Sequence, residues 1–161
     1  MSREFKFRAW DRDLEIMVYS DKRNKSTYDI NYEFAMNEKG VLVCNWHEDT
    51  EDYYGNFKEA NGTLDNLMQY TGLKDKNGKE IYEKDIVKVT INNKTFNAWI
   101  VFEMGSFMIA NDDITYYIED NWNDNVKCLS ELAWEQEEFE DRIYCLEVIG
   151  DTYQNIDLIE V

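Results

Sequence analysis

Asp85–Phe102, DIVKVTINNKTFNAWIVF, decides the fold of this 161-residue chain. Val87, Val89 and Ile91 alternate with Lys88 and Thr90, the two-residue period of a strand with one buried face. Asn92-Asn93-Lys94 then supplies side chains that tolerate turn conformations, and Phe96, Ala98, Ile100 and Phe102 resume the alternation. The stretch is a β-hairpin. C-terminal to it, Gly105-Ser106 makes a break, Phe107–Ala110 reads as a third strand, Ile114, Tyr116 and Ile118 as a fourth, and Tyr144, Leu146 and Val148 as the closing one. N-terminal to it, Asp75-Lys76-Asn77-Gly78 is a turn with residues suited to positive φ. Glu4–Trp10, Glu15–Tyr19 and Val41–Trp46 read as earlier strands joined by polar loops. Short strands and consecutive hairpins predict a small, strongly bent antiparallel barrel or sandwich.

Composition supports that class. The chain has no proline but eleven Tyr, eight Phe and five Trp, residues that pack well on pleated faces and are scarce in disordered chains. Its length suits about one domain. No apolar run approaches the roughly 18 residues of a membrane span, and Met1-Ser2-Arg3-Glu4 opens no secretion signal, so a soluble cytoplasmic protein is expected. Cys44, Cys128 and Cys145 are an odd count without CxxC spacing, which suggests reduced thiols and neither a disulfide framework nor a zinc site.

The formal net charge is −17, and it is unevenly placed. Residues 1–60 hold 9 basic and 13 acidic side chains, residues 61–110 hold 6 and 6, and residues 111–161 hold 2 and 15. Solubility requires only a net charge of about 2–8 in a small domain, so the C-terminal excess raises the prospect of a partner. Within it Leu129, Leu132, Ala133 and Phe139 approximate one apolar helical stripe, with Ser130 able to cap its start. A helix over Ser130–Asp141 would project Glu131, Glu135 and Glu138 from one face.

Other chemistry is poorly supported. His47 is the only histidine, beside Trp46 and ahead of Glu48-Asp49, and a surface histidine in a polar loop is its ordinary reading. With 34 acids, a carboxylate pair somewhere is inevitable and therefore undiagnostic. Asp120-Asn121-Trp122-Asn123-Asp124-Asn125 is oxygen-rich, but it places tryptophan where a calcium loop needs a ligand and it lacks the glycine. No cofactor or metal is expected. Lys74, Lys76, Lys79, Lys84, Lys88 and Lys94 are the one group of bases that could meet phosphates, and six nearby acids offset them. Trp99 is expected in the core, whereas Trp122 and Trp134, set among acids, could anchor an interface.

Three separated blocks carry a family resemblance. Lys6-Phe7-Arg8-Ala9-Trp10-Asp11, Leu67–Val87 (LMQYTGLKDKNGKEIYEKDIV), and Leu146-Glu147-Val148-Ile149-Gly150-Asp151 followed by Tyr153-Gln154-Asn155 resemble, in order and spacing, the YopX-like family of small bacteriophage and prophage proteins. The chain departs from that pattern at Lys84, where the family usually has glycine. The resemblance implies a phage gene expressed inside a bacterial cell and supplies no catalytic residues. Tyr82-Glu83-Lys84-Asp85-Ile86-Val87 also looks like the entry to the first long strand of SH3-like barrels. The expected organisation is thus a mainly β chain, with an N-terminal β extension over 1–63 and a small antiparallel SH3-like barrel over 64–161. An acidic insertion at about 111–142 carries the short acidic helix. The expected function is non-enzymatic: binding and inhibition of a host or defence protein whose basic groove holds nucleic acid, by an acidic surface that imitates it. Glu131, Glu135, Glu137, Glu138, Glu140 and Asp141 would bind this partner, with Asp120, Asp124, Trp122 and Trp134 beside them. The alternative is a homo-oligomeric phage module whose acidic face is only solvated.

Overall fold

In a computed structural model of the chain, residues 4–12, 15–21, 30–36, 42–48, 58–59, 67–103, 105–111, 127–138 and 140–159 are described. The fold is mainly β and antiparallel, with almost no helix and with one sheet curled into a half-barrel. Two compact units divide it, Glu4–Gln69 and Tyr70–Val161.

In the N-terminal unit, β1 (Phe7–Asp11) pairs antiparallel with β2 (Ile16–Tyr19), aligning Ala9 with Val18, both fully buried. Its other side pairs with the start of β6 (Met68–Lys74). A second sheet orders β3 (Ile30–Met36), β4 (Leu42–Glu48) and β5 (Lys58–Glu59). β3 is absent from the sequence-based expectation, although Ile30, Tyr32, Phe34 and Met36 carry the same two-residue period as the hairpin. His47 lies within β4, opposite Asn31, and not in a loop.

The C-terminal unit is built on β8 (Asp85–Ile91) and β9 (Lys94–Glu103), joined as expected by a two-residue turn. Asn92 (φ 52°) and Asn93 (φ 64°) both take the left-handed conformation that matches such a turn to the strand twist. β10 (Ser106–Ala110), β11 (Lys127–Cys128) and β12 (Leu146–Asp151) complete the sheet in the order β11-β10-β9-β8-β12. β7 (Glu80–Tyr82) pairs with the end of β6. The strand expected at Ile114, Tyr116 and Ile118 lies outside the described residues.

Val87, Val89, Ala98, Ile100, Ile109 and Leu146 form the core, joined by Leu129, Leu132 and Ala133 of the one α-helix among the described residues, α1 (Leu129–Trp134). Each fully buried aliphatic side chain of this kind contributes roughly 1.5–3 kcal/mol. Trp99 is not among them. Alternation turns it to the face opposite Ala98 and Ile100, where it is half-buried in register with Ile86 and Ala110.

α1 is six residues long, too short to stand without its packed face. The helix therefore stops well before Asp141, and no row of Glu131, Glu135 and Glu138 forms along one face. Its N-cap is Cys128 and no side chain caps it, so Ser130 does not act as the cap. Beyond Trp134 the Gln136 side chain takes over: Nε2 donates to the Ala133 carbonyl at 3.4 Å and to the Arg142 carbonyl at 3.0 Å, while Oε1 accepts the Tyr144 amide at 2.7 Å. These bonds bring Tyr144 back to Gln136, and Tyr144 lies in a turn ahead of β12 and not in the strand.

Candidate functional site

The residues that carry the family resemblance turn out to be architectural. Asp75, 1% exposed, accepts the amides of Asn77 and Lys79 on Oδ1 and of Val148 on Oδ2, each at 2.9 Å. Its carboxylate thus closes the β6–β7 turn and fastens that turn to β12. Asp85, also buried, accepts the Tyr82 amide at 2.8 Å and closes the turn before β8. Asp151 does the same after β12, accepting the amides of Tyr153 and Gln154 at 3.0 Å and the Gln154 side chain at 2.7 Å. The described partners of these three buried acids are backbone amides and one side-chain amide. This is the use a carboxylate has when turns must be satisfied in a buried place.

Two glycines belong to the same frame. A side-chain carbon at Gly78 (φ 82°) would come within 2.9 Å of the Arg142 guanidinium. One at Gly150 would come within 2.7–2.8 Å of the Asn155 side chain, at the bulge where the β8–β12 register shifts. Lys84 holds the position of the family glycine with φ 64°, so the turn keeps the left-handed conformation without a glycine. Its amide donates to the Ile100 carbonyl at 2.8 Å and its carbonyl accepts the Thr152 amide at 2.9 Å. Its ammonium donates to the Tyr153 hydroxyl at 3.0 Å, 5.0 Å from the ring centre.

The acids expected to bind a partner lie on residues 131–138 and 140–141. Glu131, Glu135, Glu137, Glu138 and Asp141 are exposed, and Glu140 is half-buried. Trp134 is 71% exposed and Tyr144 52%, large aromatic surface on a segment whose other side is anchored by Leu132, Ala133 and Ile143. Glu140 and Asp141 have internal roles that the sequence reading misses. Glu140 accepts a hydrogen bond from the Tyr144 hydroxyl, which holds that phenol above its ordinary pKa of 10.0. Asp141 lies 3.5 Å from the Lys74 ammonium, and its carbonyl accepts the Lys74 amide at 2.7 Å. Asp120, Trp122 and Asp124 lie outside the described residues.

Gln136 and Tyr144 belong to this surface and are absent from the sequence-based set. Gln136 gives no sequence signal, since its role depends on three backbone groups brought to it by the fold. Tyr144 was hidden by its apparent alternation with Leu146 and Val148. Among the lysines, Lys76 lies 3.2 Å from Glu147, and Lys74 and Lys84 are engaged as described, while Lys79, Lys88 and Lys94 are exposed. Among the described residues no group of three or more His, Cys, Asp or Glu side chains is arranged to hold a metal ion. No helix among them is long and apolar enough to cross a membrane.

Two solved structures have a similar fold. The yopX protein of Bacillus subtilis aligns with a TM-score of 0.57 and 22% identity, over 96% of this chain and 98% of that one. The EF1440 protein of Enterococcus faecalis aligns with a TM-score of 0.50 and 23% identity, over 99% of this chain and 100% of that one. At these identities the likeness concerns the fold. No curated protein matches the chain. The family model described as YopX protein matches residues 6–160, and the chain therefore belongs to the YopX family.

Proposed function

We propose that this protein is a non-enzymatic phage protein of the bacterial cytoplasm that binds a basic, nucleic-acid-binding surface on a host or defence protein and blocks it. The observation that supports this reading is the set of exposed carboxylates Glu131, Glu135, Glu137, Glu138 and Asp141 on the stretch of chain that also carries the exposed side chains of Trp134 and Tyr144. Its carboxylates offer the charge that a basic groove attracts, and its aromatic rings offer the desolvated contact area that charge alone lacks. Whole-chain acidity points the same way, since a net charge of −17 repels a nucleic acid duplex and draws basic surfaces. The buried motif acids accept backbone amides in turns, which supports a non-enzymatic reading.

The test is capture of partners from bacterial lysate on the tagged protein, followed by challenge with duplex DNA and with rising salt. A nucleic-acid-binding protein released by both is the expected result, because DNA and this surface would compete for one groove and salt screens both. A partner indifferent to DNA and salt, or capture of further copies of this chain alone, would contradict the proposal.

A further inference from the structure

In the β6–β7 turn an exposed asparagine, Asn77, stands directly before Gly78. The Gly78 amide donates to the Asp75 carbonyl at 3.0 Å, and neither Lys76 nor Asn77 has a positive φ, so Asp75–Gly78 is a type I turn. Gly78 leaves it at φ 82°, and the Asp75 amide donates to the Lys79 carbonyl at 2.8 Å, which completes the glycine bulge that commonly follows such a turn in a hairpin. Asp75 Oδ1 accepts the amides of Asn77 and Lys79. The fold itself favours glycine at 78, through the positive φ and through the Arg142 guanidinium, which a side-chain carbon would meet at 2.9 Å.

We propose that Asn77-Gly78 is a site of self-modification, at which the asparagine converts to aspartate and isoaspartate, and that Asp75 restrains the conversion. The Gly78 nitrogen gives up its proton and attacks the carbonyl carbon of the Asn77 side chain. A C–N bond forms, the bond to the side-chain nitrogen breaks, and ammonia leaves with that proton, giving a five-membered succinimide. Water then opens the ring at either of its carbonyls. Glycine places no side chain beside the attacking nitrogen, and the exposure of Asn77 admits the water. Ring closure requires the Gly78 nitrogen to swing toward the Asn77 side chain, away from the ψ of about 0° that a type I turn holds at this position. That rotation pulls the Gly78 amide from the Asp75 carbonyl and the Lys79 amide from Asp75 Oδ1. The reaction therefore waits for local opening of the turn. Isoaspartate routes the backbone through the former side chain and lengthens it between 77 and 78. The same carboxylate that loses Lys79 also holds the Val148 amide, so conversion loosens the turn from β12 and does not reverse.

The experiment incubates the purified full-length protein and the excised peptide 73–81 side by side at mildly alkaline pH. Conversion at Asn77 is read by peptide mass mapping, which separates it from the chain's other such pair, Asn61-Gly62, outside the described residues. Native protein should convert at Asn77 at a rate about tenfold or more below that of the peptide, since two hydrogen bonds must open first. Asp75→Ala should raise the rate toward the peptide's. Ile109→Ala, a core truncation on β10, controls for global unfolding: in urea that leaves the two variants equally folded, it should convert more slowly than Asp75→Ala. Protein carrying isoaspartate, separated by ion exchange, should exchange the Val148 amide faster than unconverted protein. An Asn77 that stays intact in the native protein while the peptide converts would overturn the site. Equal rates in protein and peptide, or in the two variants, would overturn the restraint by Asp75, and unchanged exchange at Val148 would overturn the loosening of β12.

Discussion

The Asp75 carboxylate accepts the amide hydrogen of Val148 at 2.9 Å, across 73 residues of sequence. The same carboxylate closes its own turn through Asn77 and Lys79, so one buried side chain joins the β6–β7 turn to β12. The Lys76 amide adds a bond to the Leu146 carbonyl at 2.9 Å, and the outer edge of β12 is thereby occupied by the turn.

Replacing Asp75 with alanine would leave three amides without this acceptor in partly buried surroundings. The expected loss is about 3 kcal/mol, since hydrogen bonds to a charged group contribute roughly 1.5–3 kcal/mol and stranded donors add their own cost. Asp75→Asn should lose less, because Oδ1 can still serve Asn77 and Lys79 while the new amide faces the Val148 donor. Urea unfolding, followed by tryptophan fluorescence, measures both. A loss below about 1 kcal/mol for the alanine variant would show that Asp75 is not the fastening point described.

Lys84 separates backbone strain from side-chain contact. Its left-handed φ of 64° costs a non-glycine residue roughly 1–2 kcal/mol, and its contact with the Tyr153 ring and hydroxyl offsets part of that. Lys84→Ala removes the contact and keeps the strain, so it should destabilise. Lys84→Gly removes both and should be more stable than Lys84→Ala by about 1 kcal/mol. Thermal unfolding of the two variants side by side gives the difference, and equal stability would place the strain elsewhere.

The Tyr144 phenol is held above its ordinary pKa of 10.0 first by its hydrogen bond to Glu140, then by partial desolvation and the negative charges of Glu140 and Glu138, against an opposing effect of Arg142. The folded protein therefore holds this proton more tightly than the unfolded chain does. Its contribution to stability is complete below about pH 10 and is lost as pH rises from there through the folded pKa. The difference in ultraviolet titration between the native protein and Tyr144→Phe should show a late-ionising phenol, and Glu140→Gln should move it back toward 10.0. A phenol that ionises at the ordinary value in the native protein would contradict this hydrogen bond.

Two strands of this fold, β8 and β9, were plainly legible. β8 and β9 show the period because Val87, Val89, Ala98 and Ile100 all face one core. Ile30–Met36 carries the same period and is passed over, with Asn31 and Glu33, residues of low strand propensity, at its alternate positions. β6 is harder for a physical reason: its register with β7 shifts between Tyr70 and Lys74, around Gly72 at φ 87°, and the period breaks there. The helix expectation overreached because the run from Glu131 to Glu138 is rich in good helix formers, and local propensity yields to tertiary bonds, here those of Gln136. The acidic surface was legible as charge. Which acids are given to internal roles, Glu140 to Tyr144 and Asp141 to Lys74, depends on contacts that a linear sequence does not display.

That division selects the decisive variant. Glu131, Glu137 and Glu138 are exposed on the proposed surface, and reversing these three to lysine leaves the Glu140–Tyr144 and Asp141–Lys74 contacts in place. The central measurement is the affinity of this variant and of the native protein for the partner captured from lysate, with folding checked by near-ultraviolet circular dichroism. Opposed charges in place of complementary ones predict a loss of at least about thirtyfold with the folded spectrum retained. Unchanged affinity in the folded variant would show that 131–144 is a solvated face and that the partner binds elsewhere.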